Sequence, residues 1–162
     1  MAYDDVQILD VACPAGALDI ANRCGATPPC TIELGTLGRR AARSSAGVAL
    51  GAGRGLEAVT GRLDTLVVVG GTGSERAAPD GRLVAQVRRL AARSRRIASV
   101  RTGADVLAAA GLLDDRRVTT HWGYGERLAT PPWPWTSAPS TSGTATSAPP
   151  PASPARSTSP CR

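Results

Sequence analysis

No lysine occurs in the 162 residues, although arginine is abundant enough to leave a formal charge of +6 and a pI near 10.1. A basic chain invites a nucleic-acid reading, because clustered cations release counterions from phosphates. Nineteen arginines without one lysine, amid abundant Ala, Gly and Pro, instead carry the footprint of GC-rich coding and leave a solvated face as the plainer use of the charge. Cys13, Cys24, Cys30 and Cys161 have neither CxxC nor Cys/His spacing, so no metal centre is expected and the thiols read as buried or incidental. No stretch approaches the roughly 18 apolar residues that span a bilayer, and no basic-then-apolar leader opens the chain. The expectation is a cytoplasmic protein with no membrane association.

A further absence divides the chain. After Ala129, "TPPWPWTSAPSTSGTATSAPPPASPARSTSPCR" contains no Val, Leu, Ile or Met. Such a segment buries too little apolar area to offset its ordering entropy, so residues 130–162 read as a disordered Pro/Ser/Thr-rich tail. Residues 1–129 read as the folded domain.

Within that domain, "TLVVVGG" (65–71) and "RIASV" (96–100) are continuous apolar runs of the kind that parallel strands covered on both faces show. Between them, "DGRLVAQVRRLAARS" sets Leu83, Val84, Val87, Leu90 and Ala91 on one stripe, with Arg82, Arg88, Arg89 and Arg93 largely off it. This predicts a crossover helix with a solvated basic face, and hence a β-α-β unit. "CTIEL" (30–34) and "RVTTH" (117–121) are further candidate strands, and "PAGALDIANR" (14–23) is a candidate helix. The class is α/β with a mainly parallel sheet. "VVVGGTGSER" follows a strand with glycines, yet has no GK[ST] and no full GxGxxG, so it reads as a tight turn or as one wall of an oxyanion pocket.

"DDVQILDVACPAGALDIANR", "SSAGVAL", "GRLDTLVVVGGTGSERAA", "RRLAARSRRIASVRTGADVLAAAGLLDDRRVTTHW" and "YGERLA" together resemble the ThiJ/PfpI domain of the class I glutamine amidotransferase-like superfamily. The nearest resemblance is to the version at the N-terminus of GlxA-like regulators of the AraC family. It implies a flavodoxin-like three-layer sandwich with a nucleophile elbow, a strained strand-to-helix turn that exposes a side chain at a helix N-terminus. The elbow residue is commonly cysteine; here the matching position is Arg101, followed by Thr102 and Gly103. A guanidinium stays protonated and offers no nucleophilic lone pair, which excludes cysteine chemistry at this site. Asp10 matches the acidic residue that approaches the elbow. Facing Arg101 it forms an ion pair, unless Arg101 reaches out to solvent. By the same resemblance Gly71 and Thr72 supply pocket backbone, and His121, the only histidine, lines the pocket or is held structurally. Asp10, Gly71, Thr72, Arg101, Thr102 and His121 are thus the candidate ligand-binding residues of a degenerate site, with no cofactor implied.

Other departures from the family are Cys13 where glycine is usual, Gly16 where glutamate is usual, and Asp105 where a bulky apolar residue is usual. An unpaired carboxylate on a buried helix face would be costly. The resemblance also leads to the expectation that the family's first strand is missing, with a gap between the strands matching "CTIEL" and "TLVVVGG". Starting every codon of the tail one base earlier turns each serine into an apolar residue and permits a reading similar to the family's continuation. The expectation is therefore a single-base shift between about Arg127 and Trp133.

Three readings stay open. One is an inactive sensing domain that binds a small metabolite, with homodimerisation implied and, lacking the regulators' helix-turn-helix pair, no direct DNA contact. The others are a stand-alone amidase, protease or hydratase, against which Arg101 argues, and a non-functional pseudogene product.

Overall fold

A computed structural model describes residues 1–114, together with 116, 118 and 145–147. The flavodoxin-like α/β class is present. The central ladder pairs β5 (Leu63–Val68) with β6 (Ser94–Ser99) in parallel, Leu66 opposite Ile97 and Val68 opposite Ser99. Both strands begin two residues earlier than their apolar runs and stop before the glycines. Between them α3 (Gly81–Ala91) crosses over, and Leu83, Val84, Val87, Leu90 and Ala91 are all buried, as the stripe predicts. Asp80 starts the helix by accepting hydrogen bonds from the Arg82 and Leu83 amides at 2.9 and 3.2 Å, which satisfies two donors that lack helical partners.

On and just after α3, Arg82, Arg88 and Arg93 are exposed and Arg89 is half-buried, as the expected basic face requires, yet three of the four are tied to the fold. Arg88 reaches the carbonyls of Ala109 and Ala110, Arg89 those of Leu56 and Val59, and Arg93 that of Thr60. A guanidinium donates along several directions from a long apolar stem, so it can lie on the protein surface and still tie distant backbone together. Arg54 binds Glu33 through two nitrogens, and Arg95 and Arg96 share Asp64. Those two guanidiniums, helped by the Thr65 hydroxyl, hold the Asp64 carboxyl well below the usual carboxylate range.

On the other side of β5, where a gap was expected, Met1–Tyr3 runs between two neighbours. The Met1 amine donates to the Val67 carbonyl at 2.5 Å, the Val69 amide donates to the Met1 carbonyl, and the Ala2 amide donates to the Gly35 carbonyl at 2.9 Å. "CTIEL" is not a strand. Pairing begins at β1 (Gly35–Thr36), the level at which Ala2 supplies a donor, whereas Thr31, Ile32 and Glu33 stay exposed. β1 pairs in parallel with β4 (Arg54–Gly55), and β2 (Ala42–Arg43) with β3 (Ala49–Leu50) in an antiparallel hairpin.

The candidate helix at 14–23 is the later part of α1 (Ile8–Arg23), which begins six residues upstream and carries Pro14 inside it. Ser74–Ala77 forms the single turn α2, and α4 spans Gly103–Ala109. Three residues of the expected disordered tail, Ala145–Ser147, form β7, antiparallel on the free edge of β6. An open strand edge accepts backbone of almost any sequence. "RVTTH", His121 and the boundary at 129 lie outside the described residues, apart from Val118, which packs on the core. None of the described helices is long and apolar enough to cross a membrane.

Candidate functional site

The site sits where β6 delivers the chain to α4. The Val100 amide closes the ladder on the Val68 carbonyl at 2.9 Å, and the Gly103 amide turns back to the Val100 carbonyl at 2.9 Å. Between them Arg101 adopts φ 49°, a left-handed conformation that costs a side-chain-bearing residue roughly 1–2 kcal/mol. The turn is held against this strain by close packing below it: a Cβ at Gly103 would overlap the Val68 carbonyl oxygen, so only glycine lets α4 start there. The elbow geometry is therefore intact although the residue at its tip is an arginine.

Asp10 is the one residue of α1 that is buried. Its Oδ1 lies 3.8 Å from Nη1 of Arg101, whose side chain is 43% exposed against 7% for Asp10. The two expected placements of Arg101 thus coexist, with one edge of the guanidinium facing the buried carboxylate and the rest facing solvent. Room for that carboxylate comes from Gly70, since a Cβ there would stand 2.9 Å from Oδ2 of Asp10.

Thr102 clamps the facing loop. Its Oγ1 accepts from the Gly71 amide at 2.8 Å and donates to the Gly71 carbonyl at 2.9 Å. The Gly71 N–H is consequently spent inside the fold and does not form the oxyanion wall that its position after a strand suggested. Thr72, beside it, is exposed.

Two polar residues that sequence reasoning passed over, Ser74 and Tyr3, complete the floor together with Asp105, which it had singled out only as a departure. Ser74, fully buried, donates to Oδ2 of Asp105 at 2.9 Å. Asp105 is half-buried and hydrogen-bonded, which corrects the expectation of a costly unpaired carboxylate on the elbow helix. Tyr3 donates to the Val69 carbonyl at 2.9 Å, and its hydroxyl pKa is pushed up, first by burial and then by the negative charges of Asp105 and Asp10. Ser74 and Asp105 are 31 residues apart, so no local periodicity could have paired them. Tyr3, one of two tyrosines in the chain, carried no more signal than its place in "AYDD".

Beyond Tyr3 lies a cavity of about 230 Å³, lined by residues from Ala2–Asp4, Thr36–Ala42 and Gly73–Leu83. Asp10, Gly71, Thr72, Arg101 and Thr102, the described residues among those singled out from sequence, do not line it. Chemically, the elbow offers a cation, a buried carboxylate and a constrained loop. Cys13, Cys24 and Cys30 are exposed and lie in α1 and the loop after it. No group of metal-binding side chains occurs among the described residues.

Similarity to known proteins agrees with this architecture. The chain is 40% identical over 129 residues to an uncharacterised protein encoded in the cpoL 5′ region of Streptomyces lividans, a match that covers 80% of this chain and 89% of that one. A shorter match, 44% identical over 68 residues, covers 42% of this chain and 30% of the isonitrile hydratase of Pseudomonas putida. Among solved structures, a ThiJ/PfpI family protein from Pseudomonas syringae superposes with a TM-score of 0.68 at 27% identity, over 79% of this chain and 51% of its own length. Drosophila melanogaster DJ-1beta shares the fold with a TM-score of 0.69 at 17% identity, over 85% of this chain and 71% of that one. The chain thus spans about half the length of the Pseudomonas syringae protein. Residues 2–155 match the DJ-1/PfpI family, and the chain belongs to that family.

Proposed function

We propose that this chain is a catalytically inactive, ligand-binding member of the family, related to the sensing half of GlxA-like regulators of the AraC type. The carrying observation is Arg101 at the elbow, in the strained left-handed conformation and 3.8 Å from Asp10. A nucleophile elbow works by presenting a lone pair to an electrophile beside N–H donors. Here the exposed group is a permanent cation, and the Gly71 donor is engaged with Thr102. Such a site attracts an anionic or polar group and holds it without forming a covalent bond. In a regulator of this type a separate helix-turn-helix region contacts DNA, so the role of this domain is to bind a cytoplasmic small molecule, as a homodimer, with Arg101, Thr102, Asp10, Thr72 and His121 around it.

The arginine-rich composition does not argue for a nucleic-acid role of the domain itself. Arg54, Arg76, Arg88, Arg89, Arg93, Arg95 and Arg96 are engaged with carboxylates or backbone carbonyls.

Enzymatic activity is the second reading, favoured by the partial match to an isonitrile hydratase and by the preserved turn. Hydration of a simple alkyl isonitrile to its formamide, followed by loss of the infrared isonitrile band, separates the two. The chain as it stands is expected to show no turnover above buffer, and the Arg101→Cys variant thiol-dependent turnover if the rest of the pocket still positions substrate. Turnover by the unaltered chain that disappears on Arg101→Ala would overturn the inactive reading.

A further inference from the structure

The cavity beyond Tyr3 opens at the carboxyl ends of the strands. From Met1–Tyr3 the chain leaves through α1 to β1 on one side and later reaches β5 on the other. In open α/β sheets, such a reversal of direction leaves a crevice outside the strand ends in which ligands bind. This position is separate from the elbow turn, and of the residues described at the elbow only Tyr3 also lines it.

Its walls are amphipathic. Leu37 and Leu83 contribute apolar surface, and four charged residues, Asp4, Arg40, Arg76 and Asp80, line it as well. Two of these charges are partly engaged and one is fully paired. Asp4 uses Oδ1 to accept from the Arg43 amide, Asp80 uses Oδ1 to cap α3, and Arg76 pairs with Asp5. Each of the two carboxylates keeps Oδ2 without a partner among the described residues. The exposed Arg40 guanidinium likewise makes no ion pair or side-chain hydrogen bond among them.

We propose that this cavity binds a small aliphatic zwitterion of the α-amino-acid class. Its carboxylate meets Arg40, its ammonium meets Asp4 and Asp80, and its side chain lies against Leu37 and Leu83. A simple anion of the same size would face two carboxylates, and a simple cation would face Arg40 and Arg76; a ligand carrying both charges complements Arg40, Asp4 and Asp80, Arg76 being paired with Asp5. The volume is below that of drug-sized pockets and suits a ligand of this size.

Calorimetric titration of the full chain with three probes tests this: leucine, 4-methylpentanoate, which is leucine without its ammonium, and 3-methylbutylamine, which is leucine without its carboxylate. Leucine is expected to bind, and each truncated probe to bind about tenfold more weakly or worse. Arg40→Gln should weaken leucine by a similar factor, and Asp4→Asn should weaken leucine while sparing 4-methylpentanoate. Because Arg40 is exposed, its replacement leaves the fold intact, which the unfolding midpoint without ligand verifies. Absence of leucine binding, equal binding of 4-methylpentanoate, or unchanged binding in Arg40→Gln overturns the proposal. Arg101→Ala should leave leucine binding unaltered, so failure here and failure of the elbow reading are told apart.

Discussion

Helices α1 and α3 have similar claims to a place in the core and very different fates. α3 has 11 residues, five of them buried, and a carboxylate cap at its start. α1 has 16 residues, of which only Asp10 is buried, and no side-chain cap; Leu9, Leu18 and Ile20 remain 60%, 37% and 62% exposed. The difference lies partly in the sequence, since α3 gathers its apolar residues on one stripe and α1 scatters them. It lies also in what each helix has to cover. α3 packs on β5 and β6, which are paired along their length, whereas α1 makes no comparably extensive packing with another described element. Burial depends on a partner surface as much as on the helix that offers itself.

The largest expected contrast comes from matched truncations. Leu90→Ala in α3 should cost about 2–5 kcal/mol, because it empties a fully enclosed site, and Leu18→Ala in α1 should stay within about 0.5 kcal/mol. Urea unfolding of both variants checks this, and similar losses would mean that α1 is covered in solution.

The second concerns Met1, whose amine is enclosed beside the Val67 carbonyl. Burial lowers its pKa from 8.0 to about 6, so the unfolded chain binds the proton more readily than the folded one. Stability from this group is complete above pH 8 and is lost as pH falls from about 8 to about 6, by about 3 kcal/mol for a shift of about two units. Thermal unfolding at pH 8.5 and 5.5, with an Nα-acetylated chain as control, measures it; an equal pH response in both chains would assign the loss to other groups.

The smallest effect sharpens the comparison at the helix starts. Asp80→Ala should remove the cap of α3 for about 1 kcal/mol, and Asp80→Asn should restore most of it, whereas Gln7→Ala before α1 should change nothing measurable. Amide exchange in the first turn of each helix reports the difference.

Much of the fold was legible in local pattern. The two apolar runs became β5 and β6, the stripe from Leu83 to Ala91 became the buried face of α3, and the step from Val100 to Gly103 became a turn into α4. "CTIEL" misled because an apolar run records the capacity to be a strand, and a strand forms only where a neighbour offers hydrogen bonds; here backbone partners arrive only at its end, from Gly53 and Arg54 at Leu34 and then from Ala2 at Gly35. The arginines along α3 were rightly placed at the surface by the pattern, but their carbonyl partners were not legible. Position on a helix shows which side a Cα faces, and a guanidinium on a long stem bonds wherever a carbonyl lies within reach.

The candidate site divides along the same line. That Arg101 cannot act as a nucleophile follows from its chemistry alone, because no fold deprotonates a guanidinium at ordinary pH. Tertiary structure decided that this arginine stands in a left-handed elbow, that Asp10 is its buried neighbour at 3.8 Å, and that Ser74 satisfies Asp105 across 31 residues of chain. Residue type sets which bonds a group can make. Which of them form depends on contacts distant in sequence, and only the folded chain brings those together.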